Sequence, residues 1–230
     1  MLIATRGKCF MLNPNRNHSV HFGELRTYFA HRPQKKYPKG SIIFHQGDKF
    51  DGIYYVLSGF VRIYDIDNRG NKKLSMIMSR DNLFPNALII QDNIINDYYW
   101  EAMTETVLAR VDPAEVKNDI INNEKLRREL TIYNIKSLGI LNGRVKSLLR
   151  TYANQRIPAV LSHLVECAGY TNERGEGCLE VVVSHQDIAA LANVARETAS
   201  IELKKLSNKH IIWYQGNKML IDLAALAKLE

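Results

Sequence analysis

The sequence predicts an α+β chain in three parts: an antiparallel β-sandwich or roll of jelly-roll type, a long helix, and a helix–turn–helix closed by a hairpin. Three observations predict it. Short β-rich runs with turn signals between them recur from Pro38 to about Val111. From Glu124 to Thr151 there is neither a proline nor a loop cluster. After Ser184, two helical patterns meet at a tight polar turn, Asn193-Val194. The expected boundaries are 1–112 for the N-terminal segment and roll, 113–152 for the linker and long helix, and 153–230 for the C-terminal domain.

The expected strands of the first part are Ser41–Phe44, Gly52–Leu57, Phe60–Asp65, Lys73–Met78, Tyr98–Met103 and Thr106–Arg110. Asp67-Asn68-Arg69-Gly70 is a hairpin loop in which Gly70 supplies a positive φ. Such regular spacing favours antiparallel pairing over a parallel sheet. Pro113 then opens a helix, where its missing N–H costs nothing. In the long helix Ile132, Ile135, Leu138, Leu141, Val145 and Leu148 fall on one face, over a span of about 40 Å. That stripe packs either on its own domain or on a second copy of the same helix, and in the second case Ile135, Leu138, Leu141 and Val145 form the dimer seam.

In the third part Pro158–Ala168 reads as a helix closed by Gly169, Tyr170–Gly177 as a polar turn and Leu179–Val183 as a strand. Helices Ser184–Leu191 and Arg196–Leu206 follow, then a hairpin of Ile211–Tyr214 and Met219–Ile221 around Gln215-Gly216-Asn217. Ser184 is the helix cap, with Asp187 standing in for the usual Glu or Gln of a capping box.

Composition sets the bounds. The chain has 230 residues, 46% apolar and 24% charged, which suits one large or two small globular domains. No apolar run exceeds five residues, as in Ile53–Leu57, so no membrane-spanning helix is expected. Arg6 and Lys8 interrupt the start, unlike a signal peptide. Cys9, Cys167 and Cys178 are too few for a disulfide framework or a closed zinc site and fit a cytoplasmic protein. The net charge of +7 comes from 31 Lys+Arg against 24 Asp+Glu and favours an anionic partner. Residues 150–230 carry nine of each sign, so nucleic-acid binding has to rest on local patches such as Arg144, Lys146, Arg150 and Arg156.

The second helix of the C-terminal pair buries Ala199, Leu203 and Leu206 and exposes Arg196, Glu197, Ser200 and Lys204. Those types suit the major groove, since Arg donates twice to guanine, Glu accepts from cytosine and Ser does either. Ser184, His185 and Gln186, at the start of the preceding helix, and Lys218, near the hairpin tip, are placed for further DNA contacts, His185 and Lys218 to phosphate. The competing reading is an antiparallel helix pair with a solvated charged face.

Ala195-Arg196-Glu197-Thr198, with the helix, Lys-rich turn and hairpin after it, resembles the winged helix of the Crp/Fnr superfamily of bacterial transcription regulators. Lys39-Gly40-Ser41-Ile42-Ile43-Phe44-His45-Gln46-Gly47-Asp48 and Tyr54-Tyr55-Val56-Leu57-Ser58-Gly59-Phe60-Val61-Arg62-Ile63-Tyr64 resemble the glycine pattern of that family's cyclic-nucleotide-binding-type β-roll. The likeness covers about residues 20–222 and implies a sequence-specific DNA-binding regulator, dimeric through the long helix. It implies double-stranded DNA, a second copy and RNA polymerase as partners, together with a small-molecule effector of unknown identity.

Three departures from the family pattern narrow this. Cyclic-AMP-binding members carry a Gly-Glu pair and a later Arg-Ser or Arg-Thr pair; here Pro85-Asn86 and Trp100 stand near those places. Residues 81–109 contain no Lys, Arg or His, so a buried phosphate would lack a counter-charge, and cyclic AMP is not expected. One N-terminal cysteine cannot hold the family's iron–sulfur cluster, and the same span offers no His or Cys to ligate haem, which leaves only a site elsewhere such as His45; no cofactor and no metal is expected. Phe84, Tyr98, Tyr99 and Trp100, with Leu141 from the long helix, either fill the roll's core or line a pocket for an uncharged or aromatic effector. Ile201 holds a position at which the best-known members have an arginine, which removes one guanine contact.

Two other classes compete. A cupin-like enzyme would need paired metal-binding histidines on a strand; His18 and His21 precede the roll and His45 stands alone. A winged helix that binds protein is favoured only by the balanced charge of residues 150–230.

Overall fold

A computed structural model describes residues 22–229. Cys9, His18 and His21 lie outside the described residues. The roll comprises β1 (Gln34–Tyr37), β2 (Ile42–Phe44), β3 (Ile53–Ser58), β4 (Val61–Ile66), β5 (Lys72–Met78), β6 (Leu83–Phe84), β7 (Tyr99–Ala102) and β8 (Thr106–Val111). They form two four-stranded antiparallel sheets, ordered β1-β8-β3-β6 and β2-β7-β4-β5. Gly59 turns β3 into β4 at φ +89°, and a Cβ there would sit 2.4 Å from the Glu105 carbonyl oxygen, so only glycine fits. Gly70 closes the β4–β5 hairpin at φ +79°, with Asp67 accepting the backbone N–H groups of Arg69 and Asn71.

Between the sheets lies a core of stacked rings. Phe84 lies on Trp100 at 4.3 Å, Tyr54 stacks on Phe84 at 5.7 Å, and Phe44 and Phe50 meet Trp100 edge-on. Buried Asn96 satisfies the ring that carries a donor: the Trp100 indole N–H donates to its Oδ1 at 2.8 Å. Two strands of the roll, β1 and β6, lack a local signal, as does the flanking helix α1 (Gly23–Ala30), which buries Leu25 and Phe29. The first turn of α1 is capped from a distance, because the Glu129 carboxylate accepts the N–H groups of Glu24 and Leu25.

Helix α2 (Pro113–Asn122) starts as expected, with Asp112 accepting the Ala114 N–H. Asn123 likewise caps α3 (Glu124–Leu148), 25 residues or about 37 Å. The C-terminal domain then follows as α4 (Ala153–Ala168), β9 (Gly169–Thr171), β10 (Glu176–Leu179), α5 (His185–Ala192), α6 (Arg196–Asn208), β11 (Ile212–Gln215), β12 (Lys218–Asp222) and α7 (Leu223–Leu226). Its sheet runs β11-β12-β10-β9. Three expectations need correction here. Helix α4 begins five residues before Pro158, which sits inside it. Residues Tyr170–Gly177 are not one turn: their ends belong to β9 and β10, and only residues 172–175 connect that hairpin. The strand lies before the valine run rather than in it; Val181 and Val183 are buried in an irregular link to the Ser184 cap.

Of the two buried clusters, one lies within the roll and helices α1–α3, and the other spans both halves. Tyr64, Leu74, Ile77 and Met103 of the roll join the cluster built by α4, α5 and α6, which includes Leu161, Ile188, Leu191 and Leu203. Polar fasteners surround it. Arg62 on β4 reaches Asp187 of α5 at 3.1 Å and also pairs with Glu101, while Lys73 donates to the Asn193 side chain at 3.0 Å. Arg144 of α3 is buried and donates to the Ser75 and Leu74 carbonyls of β5.

Candidate nucleic-acid interface

The turn between α5 and α6 rests on two devices. Asn193 adopts a left-handed conformation, φ 50° and ψ 50°, a residue type that tolerates it. Beneath it the Arg156 guanidinium donates to the Ala192 and Asn193 carbonyls at 3.1 and 3.3 Å and to the Arg150 carbonyl at 2.8 Å. These satisfy carbonyls that the end of α5 leaves open.

Helix α6 packs Ala199, Leu203 and Leu206 inward and leaves Arg196, Glu197 and Lys204 exposed. Ser200 is half-buried, because its hydroxyl lies 3.0 Å from His185 Nδ1. That contact ties the start of α5 to α6 and sets two of the sequence-predicted residues against each other. Ser184 is exposed, but its hydroxyl accepts the Asp187 N–H while its own backbone N–H donates to the Asp187 carboxylate at 3.1 Å, completing the capping box, and the hydroxyl also donates to that carboxylate at 2.6 Å. Gln186 is exposed beside it. Lys218 is exposed at the tip of the β11–β12 hairpin, where Gln215 and Lys218 pair across Gly216-Asn217. These positions therefore lie on α6, at the start of α5 and on the hairpin, the three parts that a winged helix presents to a duplex.

The basic patch expected from Arg144, Lys146, Arg150 and Arg156 does not form. Arg144 and Arg156 are turned to backbone carbonyls inside the molecule, because helix packing demanded donors there; Lys146 alone of the four is exposed. The expected effector lining does not converge either. Phe84 and Trp100 meet in the roll's core. Tyr99 points to the other side of the sheet, stacked on Tyr64 at 5.5 Å under the C-terminal domain, since neighbouring strand residues alternate faces. Tyr98 is exposed, and Leu141 lies on the outer face of α3. The rings fill the core. A hollow of about 330 Å³ opens elsewhere, beside α1, lined by Glu24, Thr27, Tyr28, His31, Arg32 and Asn123.

The outer face of α3 is open: Ile135, Leu138, Leu141 and Val145 are 43–66% exposed, and Leu148, Leu149 and Tyr152 extend the stripe. Sequence reasoning missed the Arg62–Asp187 and Lys73–Asn193 pairs that hold α5 against the roll. The one available signal was Arg62 itself, a lone cation between inward-facing Val61 and Ile63.

Comparison with known proteins bears on both halves. The family model described as a cyclic nucleotide-binding domain matches residues 34–122, and that of a Crp-like helix-turn-helix domain matches residues 155–229. The chain is 22% identical over 198 residues to the cAMP-activated global transcriptional regulator CRP of Pasteurella multocida, covering 86% of this chain and 93% of that protein. It is 24% identical over 186 residues to the CRP-like cAMP-activated global transcriptional regulator of Mycobacterium tuberculosis, covering 81% and 82%. The fold is similar to that of FixK2 from Bradyrhizobium japonicum, with a TM-score of 0.71 at 18% identity over 86% of this chain and 97% of that one. A cyclic nucleotide-binding domain containing protein from Listeria monocytogenes EGD-e gives a TM-score of 0.72 at 16% identity, over 90% and 96%.

Proposed function

Because the chain belongs to the Crp/Fnr family of DNA-binding transcription regulators, we propose that it acts as a homodimer whose two α6 helices enter successive major grooves of one operator. The observation that carries this reading is the pair of surfaces left open: the polar face of α6 and the apolar outer face of α3. A stripe of that length left in water is unusual for a monomer and matches the seam of a two-helix contact. Arg196 and Glu197, at the start of α6, read base edges. Lys204 lies farther along the groove, Lys218 rests on phosphate from the hairpin, and His185 and Gln186 make their contacts from the start of α5. Ser184 serves first as the cap that fixes this geometry.

In this reading the roll takes no cyclic nucleotide. Residues 81–109 supply no cation, and the stacked Phe84 and Trp100 occupy the interior. The neighbouring cations are already matched to acids: Lys117 reaches Asp92, and Arg62 and Lys72 reach Glu101.

Duplex binding at two salt concentrations tests the proposal. Arg196→Ala should cost about 1–3 kcal/mol on the selected site and flatten discrimination at one base pair. Lys218→Ala should weaken specific and random duplexes alike and lower the salt slope by roughly one phosphate contact per subunit. Affinity that is independent of salt would sink the DNA reading in favour of a protein partner.

A further inference from the structure

The centre of the outward face of α6 is an apolar side chain. The buried positions Ala199, Leu203 and Leu206 define the inner face of the helix, and at 100° per residue the side opposite them is held by Glu197, Ile201 and Asn208, with Lys204 beside them. Arg196 and Ser200 lie toward one edge. Ile201 is 56% exposed, one turn after Glu197 and just before Lys204, and is absent from both buried clusters. Neither packing nor helix propensity explains it, since a β-branched residue is a poor choice for an exposed helix position.

We propose that Ile201 is a specificity-determining residue that packs on the 5-methyl group of a thymine, so that each half-site carries a T·A pair beneath the middle of α6. This rests on the DNA reading given above. The major groove displays one apolar group, the thymine methyl, and an aliphatic side chain recognises it by excluding water. Ile suits the task because in a helix its χ1 is held almost entirely in one rotamer, so its methyl groups are fixed before binding. The neighbour supports the same register. The Glu197 carboxylate cannot face phosphate, so it turns to an amino group, cytosine N4 or adenine N6, on the base pair next to the thymine. Substituting an arginine here would restore a guanine donor at the expense of that methyl contact.

The test uses the full-length chain and duplexes selected from a random pool. In the enriched site each thymine is replaced in turn by 2′-deoxyuridine, which keeps every hydrogen bond and removes only the methyl group. The expected result is one thymine per half-site at which uracil weakens the wild type about fourfold, the worth of one buried methyl. Ile201→Ala should bind the same site and be indifferent to uracil there, while Ile201→Val keeps the sensitivity. The position is exposed and alanine is the better helix former, so this variant retains its fold. The proposal is overturned if no thymine lies under α6 in the enriched site, or if wild type and Ile201→Ala respond alike to uracil at every position. A pool that yields no enriched duplex overturns the DNA reading and this inference with it; an enriched duplex that ignores the methyl group overturns this inference alone.

Discussion

Arginines decide much of this structure, and three of them work inside it. Arg62 joins Glu101 to Asp187, Arg144 joins α3 to the carbonyls of β5, and Arg156 holds the α5–α6 turn. In the sequence they are indistinguishable from groove-seeking cations, because a residue type states its donors and not where the chain will lack acceptors. The reverse held for Asn193 and Ser184, whose roles are local and therefore legible: a left-handed turn and a cap. Arg62→Met should destabilise the protein by about 2 kcal/mol in denaturant titrations, since it leaves the nearly buried Glu101 with Lys72 alone. Acid should act through two groups. Burial, and then the nearby Arg144 charge, push the His163 imidazole down to about 4. The unfolded chain therefore binds the proton first, and stability falls as pH drops from about 6.5 toward 4. Burial raises the Glu101 carboxyl, but hydrogen bonds from Arg62 and Lys72 outweigh it and hold it below its ordinary value. Its contribution is present above the usual glutamate range and is lost at lower pH. Thermal melts of His163→Gln should lose the first of these slopes and keep the second.

At the scale of elements, legibility followed periodicity. The roll strands β2–β5, β7 and β8 and the helices α2, α3, α5 and α6 were readable because their apolar positions repeat at 2 or 3.6 residues, whereas the two-residue β6 is too short to show a period. Helix α1 was not, as its first-turn donors are capped by Glu129, a hundred residues away. Nor was the start of α4, where Pro158 marks a helix interior instead of its beginning. In α3 the open stripe and the buried Arg144 lie on different faces, so the helix is pinned inward and apolar outward at once. Leu138→Glu should sediment as a monomer at micromolar concentration where the wild type is a dimer. A wild type that is already monomeric without DNA would remove the seam. For the segment between β6 and β8, calorimetry with cyclic AMP or cyclic GMP should register no heat of binding, and a micromolar dissociation constant for either would overturn the cation argument.

Across the whole molecule, the roll and the winged helix were each readable from the sequence, but their contact was not. Tyr64, Leu74, Ile77 and Met103 look like ordinary strand residues, and only the assembled fold places them under α5. A shared core predicts shared unfolding. Differential scanning calorimetry of the wild type should show one transition with equal calorimetric and van't Hoff enthalpies. Leu74→Ala should cost about 2–4 kcal/mol and move that transition as a unit, lowering both halves together. Two resolved peaks in the wild type would instead mean that the contact is only a touch.

The same floor governs what could be transplanted. Winged helices invite grafting, with a reading head moved from one sensor to another at the link after α3. Cut there, this head would arrive with Asp187 lacking its arginine, Asn193 lacking its lysine and an apolar underside fitted to absent neighbours. The transferable unit is larger than the sequence boundary suggests. It must include β4 and β5, so a working chimera has to be spliced within the roll.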